Sequence, residues 1–222
     1  MNTGIGVTHR DPPVVADRSA AHEIEGGSTT EAVGGAAAIV LAILALIGIL
    51  PFSLASVAAI AVGVGLVVAG GAIAARYRRV LAVPESGATR REIVGGMGME
   101  ATAGIAAVVL GILALLGIAT TTLLAASAIA AGAGLLMASG SMARLESLVR
   151  WETLQDSSRA HDPVYASAGS EVIVGLGAVV LGILALTGID PLTMILVAML
   201  AIGASLLMSG SAIAGTFVSR FR

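Results

Sequence analysis

Three glutamates are the residues best placed to do chemistry, because they occupy equivalent positions in three similar stretches of the chain. They are Glu31, Glu100 and Glu171, and each precedes a long apolar run. If the fold gathers them, they would form a carboxylate ring that binds a cation or a proton. The alternative is structural, since a carboxylate near a helix start is stabilised by free N–H groups and the helix dipole. Ser28 and Ser170, which precede two of the glutamates, favour this capping interpretation.

No other residues form a catalytic or metal-binding pattern. The histidines His9, His22 and His161 lie in separate polar segments, and the chain has no cysteine. The sequence contains no zinc-protease, P-loop or serine-hydrolase motif. Asp190, next to Pro191, is explained by turn chemistry. We therefore expect no enzyme activity, no cofactor and no bound metal.

Composition indicates a membrane protein. Hydrophobic residues make up 57% of the 222 positions and charged residues 12%, whereas soluble domains are about 25% charged. The net charge of −2 and the lack of a basic, aromatic-rich run exclude nucleic acid as a partner. The expected partner is the lipid bilayer, with a membrane protein or a second copy of the chain as further candidates.

An internal repeat sets the predicted fold. The string AVVLGILAL occurs at 107–115 and 178–186, and a near copy, AIVLAILAL, at 38–46. Each copy belongs to a hairpin of two apolar runs. We therefore predict an all-α integral membrane protein with six transmembrane helices from three tandem helical-hairpin repeats and approximate threefold pseudosymmetry. The predicted segments are a disordered cytoplasmic tail (1–30), hairpin 1 (31–77), a connector (78–99), hairpin 2 (100–146), a connector (147–170), hairpin 3 (171–217) and a cytoplasmic C-terminus (218–222).

Arginine placement predicts the orientation. All twelve basic residues are arginines, and none lies in the hairpin turns at 48–53, 117–122 and 188–193. The positive-inside rule then places both termini and both connectors in the cytoplasm. The expected location is the bacterial inner (plasma) membrane, with several spans.

The connectors carry local predictions of their own. Thr89 is predicted to be the N-cap of a helix that continues into the third span. Residues 144–156 are predicted to extend the fourth span, and residues 157–168 to form a loop.

Small residues recur at equivalent positions of the three hairpin copies. We call such positions matched. Small-xxx-small faces stabilise close helix contacts in lipid, so we expect these residues to pack helix against helix. A glycine-lined pore or substrate path is the alternative. The predicted packing residues are Gly35, Gly104 and Gly175 in the first helices, and Gly65, Gly134 and Ser205 in the second helices.

The hairpin unit resembles the two-helix repeat of the HdeD-type acid-resistance membrane proteins. The first half of that unit, G-x6-G-x-L-A-L, is carried by Gly104–Leu115 and Gly175–Leu186, and the second half by 135–140 and 206–210. The resemblance implies six spans from three repeats, a small inner-membrane protein, and a role in stress or acid tolerance. It supplies no catalytic residue. The connectors here are longer than in that pattern.

Two functions follow as hypotheses. The first is a non-enzymatic, multi-pass membrane protein with a structural or accessory role, as a scaffold or in stress tolerance, acting through close helix packing. The second is a small channel or transporter that uses Glu31, Glu100 and Glu171 as a cytoplasmic ring. Few polar groups lie inside the apolar runs, whereas carriers usually keep ionisable residues near the middle of the membrane.

Overall fold

The described part of the chain consists of α-helices and short hairpin turns. The computed structural model describes the backbone of residues 17–80, 87–152 and 163–218, and the side chains of 29–71, 98–139 and 171–211. Over these residues there is no β-strand. The six helices are α1 (Asp17–Leu46), α2 (Pro51–Val80), α3 (Gly87–Leu115), α4 (Thr120–Glu152), α5 (Pro163–Leu186) and α6 (Pro191–Val218).

Five helices contain stretches that are long and apolar enough to cross a membrane. These stretches lie in α1, α2, α3, α4 and α6 and are 18 to 21 residues long. At a rise of 1.5 Å per residue, 18 residues cover about 27 Å, close to the hydrocarbon thickness of a bilayer. In α5 the described apolar stretch, Glu171–Leu186, is shorter than this. The all-helical prediction is confirmed over the described residues, and five of the helices could span a membrane.

The helices extend well beyond the apolar runs, which corrects several predicted boundaries. α1 begins at Asp17, inside the segment expected to be a disordered tail, because residues 17–30 contain no proline to stop a helix. α3 runs into the third apolar run as predicted, but it begins at Gly87, so Thr89 is not its N-cap. α4 continues through most of the predicted extension at 144–156, to Glu152, and residues 153–156 lie outside the described residues. α5 begins at Pro163, where proline suits the first helical position. The loop predicted at 157–168 is therefore wrong for 163–168, and residues 157–162 lie outside the described residues.

Each hairpin turn has the same backbone conformation. In the middle turn the Gly117 N–H donates to the Ala114 carbonyl at 3.0 Å and the Ile118 N–H to the Leu113 carbonyl at 3.3 Å. This is the Schellman pattern, which requires positive φ at the glycine. The tight reversal makes the two helices of a hairpin antiparallel neighbours. Positive φ occurs at the matched pairs Gly48 and Leu50, Gly117 and Ala119, and Gly188 and Asp190.

The six helices form a closed bundle with three inner and three outer helices. Each helix packs against the next along the chain, and α6 packs against α1. In addition α2, α4 and α6 contact one another, which makes the second helix of every hairpin an inner helix. Burial agrees with this arrangement: 50% of the apolar stretch of α2 is buried, compared with 28% in α1.

Inner and outer helices contribute different residues to the core. The outer helices bury mainly alanines, such as Ala38, Ala107 and Ala178, which lets them approach the inner helices closely. The inner helices bury the larger side chains of the core together with several alanines. At matched positions they contribute Ala55, Leu124 and Ile195; Ala59, Ala128 and Met199; Val62, Ala131 and Ile202; and Leu66, Leu135 and Leu206.

Candidate functional site

The three glutamates lie inside helices rather than at helix starts. Glu31 follows the beginning of α1 by several turns, and Glu100 and Glu171 are likewise preceded by helix in α3 and α5. Their own backbone N–H groups therefore belong to helix interiors, where the free N–H groups of a helix start are absent. The capping interpretation, including a role for Ser28 as N-cap, is wrong.

The glutamate side chains point into the bundle. Glu31 is 7% exposed and Glu100 is 5% exposed, while Glu171 is partly buried. The three carboxyl groups interact electrostatically: Glu100 with both of the others, and Glu171 with Glu31. The fold thus brings together the three acids that occupy matched positions in the sequence. We call them the glutamate cluster.

Close helix contacts set the inward direction of these side chains. Gly35, Gly104 and Gly175 each lie four residues after a glutamate, on the same helix face. A methyl group at Gly104 would lie 2.6 Å from the carbonyl oxygen of Gly63 on α2. The matched contacts are Gly175 with Gly132, where the distance is 2.7 Å, and Gly35 with Gly203, where it is 2.5 Å. Backbone contact at these glycines holds each outer helix with its glutamate facing an inner helix.

The other predicted packing positions lie on the inner helices; Gly134 packs within its own hairpin, and Gly65 also contacts α6. A methyl group at Gly134 would lie 2.6 Å from the Ala103 side chain and 3.7 Å from Cα of Glu100. At Gly65 it would meet a Leu206 methyl at 3.0 Å and lie 4.0 Å from the Glu31 carbonyl oxygen. Ser205, at the matched place in α6, is buried. These inner positions therefore border the glutamate cluster.

A serine on α6 is hydrogen-bonded to one member of the cluster. The Ser209 hydroxyl donates to Oε1 of Glu31, across the interface between α6 and α1. The same hydroxyl also lies 3.3 Å from the Leu206 carbonyl oxygen. The matched residues on α2 and α4 are Ala69 and Ala138, which carry no donor. Only the third hairpin therefore has a hydrogen-bond donor at this position, which faces the cluster.

Two buried polar atoms beside the cluster lack a hydrogen-bond partner within the described part of the chain. They are Oε2 of Glu100 and the hydroxyl of Ser205. Ser205 is 4% exposed and lies one helical turn from Ser209, on the same face of α6. A buried polar atom without a partner costs about 1–3 kcal/mol. Such atoms are uncommon in folded proteins and indicate a bound proton, water or ion.

The inner helices seal the bundle on one side of the cluster. Leu66, Leu135 and Leu206 each directly follow a residue that borders the cluster, and none is more than 2% exposed. Val62 and Ile202, which lie one helical turn before Leu66 and Leu206, are fully buried. These side chains close the bundle on one side of the cluster.

The arrangement does not amount to a metal centre. Over the described side chains, no group of three or more histidine, cysteine, aspartate or glutamate residues could hold a metal ion. Asp190 lies in a hairpin turn at the opposite ends of the helices and is not brought to the glutamates. All twelve arginines, on which the predicted orientation depends, lie outside the described side chains, as do the three histidines.

Two functional residues escaped the sequence analysis in their present role. From the sequence, Ser209 has no predicted chemical role, and Ser205 is predicted only as a packing position. The signal in the sequence was a difference between the repeat copies, because both residues are serines where the other two hairpins have glycine or alanine. Only the contact between α6 and α1 gives that difference a chemical meaning.

Comparisons with family models, curated proteins and solved structures returned no match for this chain. The resemblance to the HdeD-type proteins therefore depends on the quoted motifs alone.

Proposed function

We propose that the chain is a non-enzymatic, multi-pass protein of the bacterial inner membrane with a structural or accessory role, as a scaffold or in stress tolerance. Its three hairpins would be repeats related by approximate threefold pseudosymmetry. The observation that carries this proposal is the set of three matched glycine contacts, Gly35–Gly203, Gly104–Gly63 and Gly175–Gly132. Such contacts suit a compact bundle whose surface, rather than an internal path, is its working part.

The outer surface supports insertion into lipid. On the outer helices, large aliphatic side chains are exposed at helical spacing, including Ile105, Val109 and Ile112 on α3, each about half exposed. Ile173, Leu176, Val180 and Ile183 repeat this pattern on α5. Soluble monomers rarely expose such a continuous apolar surface, whereas lipid-facing helices require one. We infer that all six helices cross the bilayer, α5 included.

Single cysteines test the proposed orientation, because the chain itself has none. Ser53→Cys lies beside the first hairpin turn and Ser86→Cys in the first connector. In right-side-out vesicles, a membrane-impermeant maleimide is expected to label Ser53→Cys and not Ser86→Cys, because arginine-rich connectors stay in the cytoplasm. Inverted vesicles should give the opposite result. Labelling of both positions from one side would contradict the orientation.

A small channel or transporter is the second candidate, and the convergence of the three glutamates favours it. Channels for cations use rings of acidic side chains. Against it, the inner helices fill the bundle next to the cluster with Leu66, Leu135 and Leu206. A transport cycle would have to separate these side chains.

Flux measurements distinguish the two candidates. Purified protein in liposomes is expected to move protons, Na⁺ or K⁺ no faster than empty liposomes, because the buried leucines leave no path. A flux that is present in the wild type and abolished by Glu100→Gln would establish the transporter and overturn the accessory role. The Asp190→Asn variant is the control, since Asp190 is an acid far from the cluster.

A further inference from the structure

We propose that the glutamate cluster, with Ser209 and Ser205 beside it, is a proton-binding site in which Glu100 holds the bound proton. The site would exist whether or not the protein has a partner or moves a solute. The inference therefore goes beyond the accessory role.

Charge balance is the first argument. Glu31, Glu100 and Glu171 place up to three negative charges inside an apolar bundle. The described side-chain ranges 29–71, 98–139 and 171–211 contain no arginine, lysine or histidine. From the elements packed against the cluster, the described groups that face it are neutral: Ser209, Ser205, glycines and aliphatic side chains. Ionising several buried carboxyl groups close to one another is costly, and each proton taken up by a carboxylate removes one negative charge.

Hydrogen bonding selects Glu100 as the proton carrier. Glu31 receives a hydrogen bond from Ser209, which stabilises an ionised carboxylate. Glu100 faces α2, where the matched residue is Ala69, and its Oε2 has no partner among the described residues. A carboxylate can only accept hydrogen bonds, whereas a protonated carboxyl group can also donate one. A proton on Glu100 would therefore remove one buried negative charge and give this carboxyl group a hydrogen-bond donor.

A proton fits the site better than a metal ion does. No group of acidic side chains in the described part of the chain is arranged to hold a metal. A proton needs only one carboxyl oxygen and one neighbouring acceptor. The buried side chains Leu66, Leu135 and Leu206 leave little room beside the cluster for an ion with its hydration shell, whereas a proton needs none.

Infrared difference spectroscopy tests this proposal directly. The full-length protein in lipid vesicles is taken between mildly alkaline and mildly acidic pH. The expected result is a reversible C=O stretching band of a protonated carboxylic acid, shifted in D₂O. Glu100→Gln, which keeps the side-chain shape, should remove most of this band. Asp190→Asn, the control acid, should leave the band attributed to the cluster unchanged.

Other results would overturn the proposal. These are the absence of a carboxylic acid band, a band unchanged in Glu100→Gln, or a band that Na⁺ or K⁺ removes at constant pH, since the last would indicate a monovalent cation site. If Glu100→Gln does not fold, Ala69→Ser gives a second test. It places a hydroxyl at the position that Ser209 occupies opposite Glu31, and is expected to weaken the band at neutral pH. An unchanged band in a folded Ala69→Ser protein would count against Glu100 as the carrier.

Discussion

Replacing Gly175 with alanine is expected to destabilise the bundle by about 1–3 kcal/mol, the usual range for overpacking a tight contact. The new methyl group would lie 2.7 Å from the carbonyl oxygen of Gly132 and 3.0 Å from Cγ of Leu136. The Gly132 oxygen belongs to the backbone and can move only if α4 and α5 separate. Equilibrium unfolding in mixed micelles of a mild detergent and SDS, followed by circular dichroism, measures the change.

Gly177 provides a matched control two residues away on the same helix. A methyl group at Gly177 has no atom within 4 Å. Because alanine favours a helix over glycine by about 0.5–1 kcal/mol, Gly177→Ala should be neutral or slightly stabilising. If both variants lose the same stability, the cause lies within α5 itself and the proposed contact with α4 is wrong. Gly104→Ala, whose new methyl group would lie 2.6 Å from the carbonyl oxygen of Gly63, should behave like Gly175→Ala.

The helical hairpins could be predicted from the sequence because their causes are local. Apolar runs of the right length predict the helices, and Gly48, Gly117 and Gly188 predict where each first helix ends. The glycine of each turn has positive φ, as a Schellman ending requires. The helix ends far from the hairpin turns were harder to predict, because polar residues that suggest a loop can still be helical when no proline interrupts them. Residues 17–30 are the clearest example.

The pairing of helices from different hairpins could not be predicted from the repeat. A small-residue face indicates that a helix packs closely, but it does not name its partner. Gly104 contacts α2 of the preceding hairpin through Gly63, and Gly35 contacts α6 through Gly203, at the far end of the chain. Which helices are inner ones follows from these long-range contacts. It has no signature in a single hairpin.

The candidate site, too, could be predicted only in part from the sequence. The matched spacing of Glu31, Glu100 and Glu171 suggested that they could converge, and electrostatic interactions now link all three. Whether they bind an ion or a proton stays a prediction. Their burial was not foreseeable, because it depends on where each helix begins and on the closure of α6 against α1. The partner of Glu31, Ser209, is 178 residues away in sequence.

Replacing Leu124 with alanine is expected to cost about 2–5 kcal/mol, the range for removing a fully buried leucine side chain. Leu124 is 0% exposed, on inner helix α4. In lipid the transfer part of this cost shrinks, since the unfolded helices are already in an apolar medium. The lost packing contacts and the cavity remain, which places the expected value toward the lower end. Leu115→Ala is the control, because Leu115 is 47% exposed on α3.

A compensating substitution tests how the inner helices are arranged. Leu124 is matched by Ala55 on α2 and Ile195 on α6, and all three belong to one buried cluster. If the three positions share one space around a pseudo-threefold axis, adding Ala55→Leu to Leu124→Ala returns the missing volume from a neighbouring helix. The double variant should then recover a substantial part of the lost stability, whereas Ala55→Leu alone should overpack the core and destabilise it. Strictly additive losses in the double variant would show that the two side chains do not face the same space, and the proposed pseudosymmetric core would have to be abandoned.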